Sequence, residues 1–263
     1  MQITNGDIGG GRAAAAGAIL AASRFFPQTS GDRAYRPEPL SARQSKSACL
    51  SIAMNPSNVD ILELLPAVAS SQVPRPLFVL LHDADATAVD MLELGRVLGD
   101  AFAEAAVLIP QGLTSVRIDR QNPAELAARV EALAGFIRLQ QQRFGALQSD
   151  TALAGFGAGA SLALALSTVH DGLVGRVLAF GGGYVDWPAS APALTTLHLL
   201  HGAGDTVVPA ARTRGDFEHL TTLGADATLD MLASIGHELH PALMDQAVTR
   251  LQTCVPLRFW KAL

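Results

Sequence analysis

From Leu77 onward, short apolar runs bounded by turn-forming residues alternate with longer stretches in which apolar positions recur at helical spacing. The short runs read as strands buried on both faces and the longer stretches as their covering helices, a pattern that belongs to a mostly parallel sheet with helices on both sides. Strands are expected at Leu77 to Leu81, Val107 to Ile109 with Pro110 ending it, Thr151 to Ala154, Arg176 to Phe180, Thr196 to His201 and Ala227 to Leu232. Helices are expected at Val89 to Phe102, from Asn122 onward, at Ala158 to His170, Ala210 to Leu223 and Pro241 to Thr253. The second of these has the clearest start: Asn122 as cap, Pro123 in the first helical position and Glu125 three residues after the cap, followed by Leu126, Val130, Leu133 and Ile137 along one face. With no internal repeat or linker, residues 54 to 263 are expected to form one α/β domain.

Residues 1 to 53 depart from that pattern. Arg12, Arg24, Arg33, Arg36, Arg43 and Lys46 lie among Gly, Ala, Ser and Pro clusters with no sustained periodicity, a composition expected to remain mostly disordered. Met54, where the character changes, is an alternative start site. Ala13 to Ala22 has the length of a signal-peptide core, but it is alanine-dominated, preceded by Asp7 and followed by Arg24. No apolar run reaches the roughly 18 residues that span a bilayer. Cys49 and Cys254, the two cysteines, do not make a disulfide framework, so a reducing, cytoplasmic location is expected. A net charge of −5 with dispersed arginines gives no electrostatic reason to expect nucleic acid as a partner.

Candidate chemistry concentrates at Thr151 to Ser167, where an apolar strand runs into Gly155-Phe156-Gly157-Ala158-Gly159 and then into an Ala/Leu-rich helix. Such a strand–turn–helix is the shape of the nucleophile elbow, Gly-x-Ser-x-Gly, with Gly157 standing at the serine position. By itself the glycine run also fits a tight turn or a weak phosphate loop. Ligands of open parallel sheets bind beyond the carboxyl ends of strands, which draws attention to three further loops. These are His82-Asp83-Ala84-Asp85, the stretch His201-Gly202-Ala203-Gly204-Asp205-Thr206-Val207-Val208-Pro209, and Ala233-Ser234-Ile235-Gly236-His237. Elbow, then acid, then histidine is the chain order of an α/β-hydrolase triad, with Asp205 orienting His237 as general base and acid. His82 and His201 are expected to make structural hydrogen bonds, and Ser161 to pack within its helix. The remaining histidines have no metal-ligand spacing, so no metal site is expected.

The stretch His201 to Pro209 resembles the His-Gly-x-x-Asp-x-Val-Val-Pro motif of the phospholipase/carboxylesterase family, which includes acyl-protein thioesterases and bacterial YpfH-type esterases. Gly236-His237 and the ending Val255-Pro256-Leu257-Arg258-Phe259-Trp260 are similar to the YpfH-type branch. The resemblance implies an α/β-hydrolase fold, no cofactor, and hydrolysis of small carboxylic esters or thioesters. It puts Gly157 in the nucleophile's place, Asp205 and His237 in the acid and base places, and Ala84 and Ala158 in the oxyanion-hole region.

The departures cluster where the chemistry would occur. Loss of a nucleophilic serine costs roughly a factor of 10⁶ in kcat. The turn expected as His-Gly-x-Gly reads His82-Asp83-Ala84-Asp85, setting His82, Asp83 and Asp85 at the pocket rim. Both acids are expected as solvated loop residues, with a role as carboxylate base or nucleophile beside His237 as the alternative; a carboxylate pointing inward about 4 Å from an oxyanion would oppose it by about 4 kcal/mol at an effective dielectric near 20. Two readings follow: an ester hydrolase with ordinary serine turnover lost or strongly weakened, and a non-catalytic protein that keeps the pocket to bind a ligand or partner. The sequence leaves oligomeric state open.

Overall fold

The computed structural model describes residues 49–54, 60–66, 76–113 and 122–256. Its strands are β1 (Cys49–Met54), β2 (Asp60–Leu65), β3 (Leu77–Leu81), β4 (Ala106–Pro110), β5 (Thr151–Phe156), β6 (Arg176–Phe180), β7 (Thr196–Gly202) and β8 (Ala227–Leu232). The helices among the described residues are α1 (Leu92–Ala101), α2 (Pro123–Phe144), α3 (Ala158–Val169), α4 (Ala210–Thr222) and α5 (Pro241–Thr253). The strands form one sheet in the order β1-β2-β4-β3-β5-β6-β7-β8. β1 and β2 run antiparallel to their neighbours, and every pair from β4 to β8 is parallel.

Alternation along the strands feeds two cores. In β3, Leu77, Val79 and Leu81 pack on one face with Val130, Leu133 and Ile137 of α2 and Leu162 and Leu166 of α3. Phe78 and Leu80 face the other way, toward Leu94 and Leu98 of α1 and Leu243, Met244 and Leu251 of α5. A strand buried on both faces has no polar side to display, which is why β3 and β4 read as continuous apolar runs. The α2 cap forms as its residues dictate: Asn122 Oδ1 accepts from the Glu125 N–H at 3.3 Å, and Gly145 closes the helix in the left-handed region at φ 64°.

Several boundaries differ from the sequence reading. The helix expected from Val89 begins instead as a 3₁₀ turn, Ala88–Met91, before α1. The Asp90 carboxylate draws that turn tight by accepting from both the N–H and the hydroxyl of Thr87. β4 continues through Pro110, which lies opposite Ile61 of β2. The sheet also begins ahead of Met54: β1 pairs with β2 along its whole length, so a chain starting at Met54 would lack this edge strand. Residues 1–48 of the expected disordered extension lie outside the described residues, as does 257–263 at the other end. No helix among the described residues is long and apolar enough to cross a membrane.

Candidate active site

The loops that follow β3, β5, β6, β7 and β8 converge at the carboxyl end of the parallel strands. β5 delivers the chain into α3 through Gly157, whose backbone sits at φ 54° and ψ −115°. That conformation is strained for any residue with a side chain. The turn is pinned by the Gly157 N–H, which donates to the Phe180 carbonyl at 3.0 Å. It is also tight: a Cβ on Gly155 would lie 2.3 Å from the Gly159 carbonyl. The elbow expected from the sequence is thus built, and a glycine occupies its apex.

On the far side, Asp205 and His237 form a fixed pair. Asp205 Oδ1 accepts from the Val207 and Val208 N–H groups, each at 2.8 Å, and Oδ2 lies 2.8 Å from His237 Nδ1. The Asp205 side chain is fully buried and that of His237 is 13% exposed, so only a small part of the ring reaches solvent. Burial would raise the Asp205 carboxyl, but the hydrogen bonds from His237, Val208 and Val207 outweigh it and hold the group below the usual carboxylate range. A tilted Phe156 ring, its centroid 4.6 Å away, supports the imidazole. Ser234, in the left-handed region at φ 62°, shapes the turn leading to His237. Nδ1 is committed to Asp205, which leaves Nε2 facing the loop after β3.

The third component comes from the loop after β3. The Asp83 side chain turns into the site, where Oδ1 accepts from the Ala158 N–H at 2.7 Å and the Ala84 N–H at 2.8 Å, and Oδ2 lies 3.5 Å from His237 Nε2. Ala84 and Ala158 are the residues expected to supply oxyanion donors, and their N–H groups converge on a carboxylate belonging to the protein itself. A Cβ built on Gly157 would fall 2.3 Å from Asp83 Cγ, so this carboxylate also fills the volume a serine side chain would need. The expectation that Asp83 is a solvated loop residue is therefore corrected. It is held by the first N–H of α3, where the helix dipole favours an anion. The inward Asp83 carboxylate is itself the acceptor on the two N–H groups expected to serve an oxyanion. Asp85, two residues on, is exposed.

Other residues singled out from sequence serve the frame. His82, expected at the pocket rim, is fully buried instead, with Nδ1 2.7 Å from the Asp83 carbonyl, and it steadies the loop from beneath. The buried His201 donates from Nε2 to the Val208 carbonyl at 2.9 Å, while its Nδ1 meets the Thr213 hydroxyl. Ser161 donates to the Gly183 carbonyl at 2.7 Å, which ties the elbow helix to the Gly181–Gly183 segment. That segment is a packed wall, with the Gly181 N–H donating to the Leu200 carbonyl at 3.0 Å. Sequence reasoning missed Asp216, which is buried and accepts from the Tyr184 N–H and the Trp187 indole, anchoring the loop after β6. Its only local signal was an acid in the middle of an amphipathic helix. Among the described residues no group of three His, Cys, Asp or Glu side chains could hold a metal ion.

Comparison with known proteins places the chain among relatives. The sequence model of the phospholipase/carboxylesterase family matches residues 113–255. Esterase YpfH of Escherichia coli strain K12 is 30% identical over 199 residues, which cover 71% of this chain and 86% of the relative. Among solved structures, esterase PE8 superposes with a TM-score of 0.63 at 25% identity, covering 78% of this chain and 99% of its own. A carboxylesterase from Mesorhizobium loti superposes with a TM-score of 0.64 at 17% identity, over 78% of this chain and 99% of its own, and shows the likeness of fold.

Proposed function

The chain belongs to the phospholipase/carboxylesterase family of α/β-hydrolases, and on that premise we propose that it keeps the family's ester-hydrolase scaffold while ordinary serine-type acyl transfer has been lost. In place of the triad stands the row Asp83, His237, Asp205. One observation carries this reading: the Asp83 carboxylate occupies both the oxyanion position, through the Ala84 and Ala158 N–H groups, and the space of a nucleophile side chain at Gly157. An ester or thioester carbonyl has no free donors to enter, and an attacking atom at residue 157 has no room. The family's substrates would be small esters or acyl thioesters, and a ligand of that size is the one this pocket is expected to take. The low cysteine count supports a cytoplasmic location.

A second reading, a ligand-binding protein without turnover, draws on the same loss of serine, but it gives no role to the Asp205–His237 pair, whose Nε2 faces Asp83 Oδ2. The test is hydrolysis of p-nitrophenyl butyrate and an acyl thioester by the native chain, His237→Ala, Gly157→Ser, and Asp83→Gly combined with Gly157→Ser. The native chain should match His237→Ala. Gly157→Ser alone should stay at that baseline, because its Cβ meets Asp83, and the double variant should gain activity. Native hydrolysis well above the His237→Ala level would overturn the reading.

A further inference from the structure

Resting on that reading of the site, we propose that Asp83 is a nucleophile toward saturated carbon, and that the substrate is a small alkyl electrophile whose leaving group departs as an anion, such as a primary alkyl halide. The two carboxylate oxygens are differentiated. Oδ1 is fixed by the Ala84 and Ala158 N–H groups, while Oδ2 receives no backbone donor from the described residues and faces His237 Nε2 at 3.5 Å. Two convergent N–H groups are what a carbonyl oxygen needs when it takes up negative charge. Here that carbonyl would be the one Asp83 itself acquires on becoming an ester. Nucleophile, base and the group orienting the base stand in the sequence that covalent catalysis requires, with Asp205 holding His237 at 2.8 Å. Acyl substrates are disfavoured by the same arrangement, since they would compete with Oδ1 for its donors.

In the first step a lone pair of Oδ2 attacks the sp³ carbon, the carbon–halogen bond breaks and its electron pair leaves with the halide. Asp83 becomes a neutral alkyl ester with Oδ1 as its carbonyl oxygen. Alkylation removes the negative charge facing Nε2, so His237 now meets a water and a neutral ester. In the second step His237 Nε2 takes a proton from water, and the water oxygen attacks Cγ. The charge that develops on Oδ1 falls on the Ala84 and Ala158 N–H groups. Collapse breaks the Cγ–Oδ2 bond, the proton on His237 passes to the departing alkoxide, and ionisation of the new carboxyl restores Asp83. The sum is alkyl halide plus water giving alcohol, halide and one proton, and the alcohol carries away an oxygen that began in the protein.

The experiment uses the full chain with 1-bromobutane, in native, His237→Gln and Asp83→Asn forms, read by peptide mass spectrometry in ¹⁸O-water. Asp83→Asn keeps an oxygen for the two N–H donors, so the loop retains its anchor. The expected result is accumulation of one butyl group on the Asp83 peptide in His237→Gln, release of butanol by the native chain with ¹⁸O entering that same peptide, and neither in Asp83→Asn. No butyl ester in His237→Gln, equal butylation in Asp83→Asn, or no ¹⁸O in the native Asp83 peptide would overturn the proposal. Butyl ester hydrolysis on the same preparations separates the two readings. A native chain that hydrolyses p-nitrophenyl butyrate by way of His237 refutes the loss of acyl transfer, whereas a chain inert to both reagents refutes only the alkyl-transfer proposal.

Discussion

On the β7 and β8 side of the site, Asp205 and His237 keep the residue types, the loops and the 2.8 Å contact that a hydrolase acid–base pair needs. On the β3 and β5 side the elbow has the required backbone, but a glycine stands at its apex and a carboxylate from the neighbouring loop fills the space above it. The first half is held by interactions within its own loops: Asp205 is set by N–H groups two and three residues ahead. The second half is held by contacts between separate loops: Asp83 to the Ala158 N–H, 75 residues apart, and the Gly157 N–H to the Phe180 carbonyl. A backbone scaffold can therefore persist while one short loop redefines what occupies its centre, because the donors of the elbow are indifferent to whether the acceptor is a substrate or a side chain.

The largest stability effect should come from the first half. Asp205→Ala strands the Val207 and Val208 N–H groups and leaves His237 without its orienting partner, and should cost about 3 kcal/mol by denaturant melting. Gly157→Ala should cost about 2 kcal/mol, from the strained backbone and from displacement of Asp83. The two sources separate in a double-mutant cycle: adding Asp83→Gly should recover part of the loss, and strict additivity would mean that Asp83 does not occupy that volume in solution.

Acid sensitivity tests the comparison in another way. His198 lies in the core, where burial first and the Arg176 and Arg250 charges second push it down to about 3. Its ring stays neutral when folded and binds a proton when unfolded below about pH 6.5, so stability should fall with a slope of about 1.4 kcal/mol per pH unit between about 6.5 and 3. Asp205 is depressed when folded, so its contribution is intact above about pH 4 and is lost only as the pH drops further. Chemical denaturation at pH 7 and pH 5 should therefore show a loss that His198→Asn reduces and Asp205→Asn does not. The smallest effect, about 1 kcal/mol, is expected for Ser161→Ala, which removes the hydroxyl bond to the Gly183 carbonyl. If that change altered butylation of Asp83 as strongly as Asp83→Asn does, the tie between α3 and the Gly181–Gly183 segment, and not Asp83 alone, would set the β3 and β5 half.

The strands buried on both faces were legible because their apolar runs are uninterrupted, and α2 because Asn122, Pro123 and Glu125 mark its start in adjacent positions. β2 was not. Glu63 interrupts its apolar run, and the charge is matched by Arg143, eighty residues away at the end of α2, with the second guanidinium nitrogen 3.1 Å from Oε2. No local pattern announces such a pairing. The same limit applies to Asp83 and Asp85. Two acids flank one alanine in a short turn, and which of them points inward is decided by the Ala158 N–H in a different strand–helix unit. Residue order along the chain identified Asp205 and His237 as candidates, whereas the role of Asp83 depended on distances that only the folded chain contains.

The overlap between Asp83 and any Cβ at residue 157 also governs the order in which this sequence can change. With aspartate in the loop, a serine at the apex collides with it. With serine at the apex, the aspartate cannot lie down on the elbow. A single substitution at either position leads to a chain that does neither job well, and the route from one arrangement to the other runs through glycine at both. The arrangement behaves as a ratchet: with the loop carboxylate lying over a glycine elbow, substitution of residue 157 alone does not open room for a side chain there.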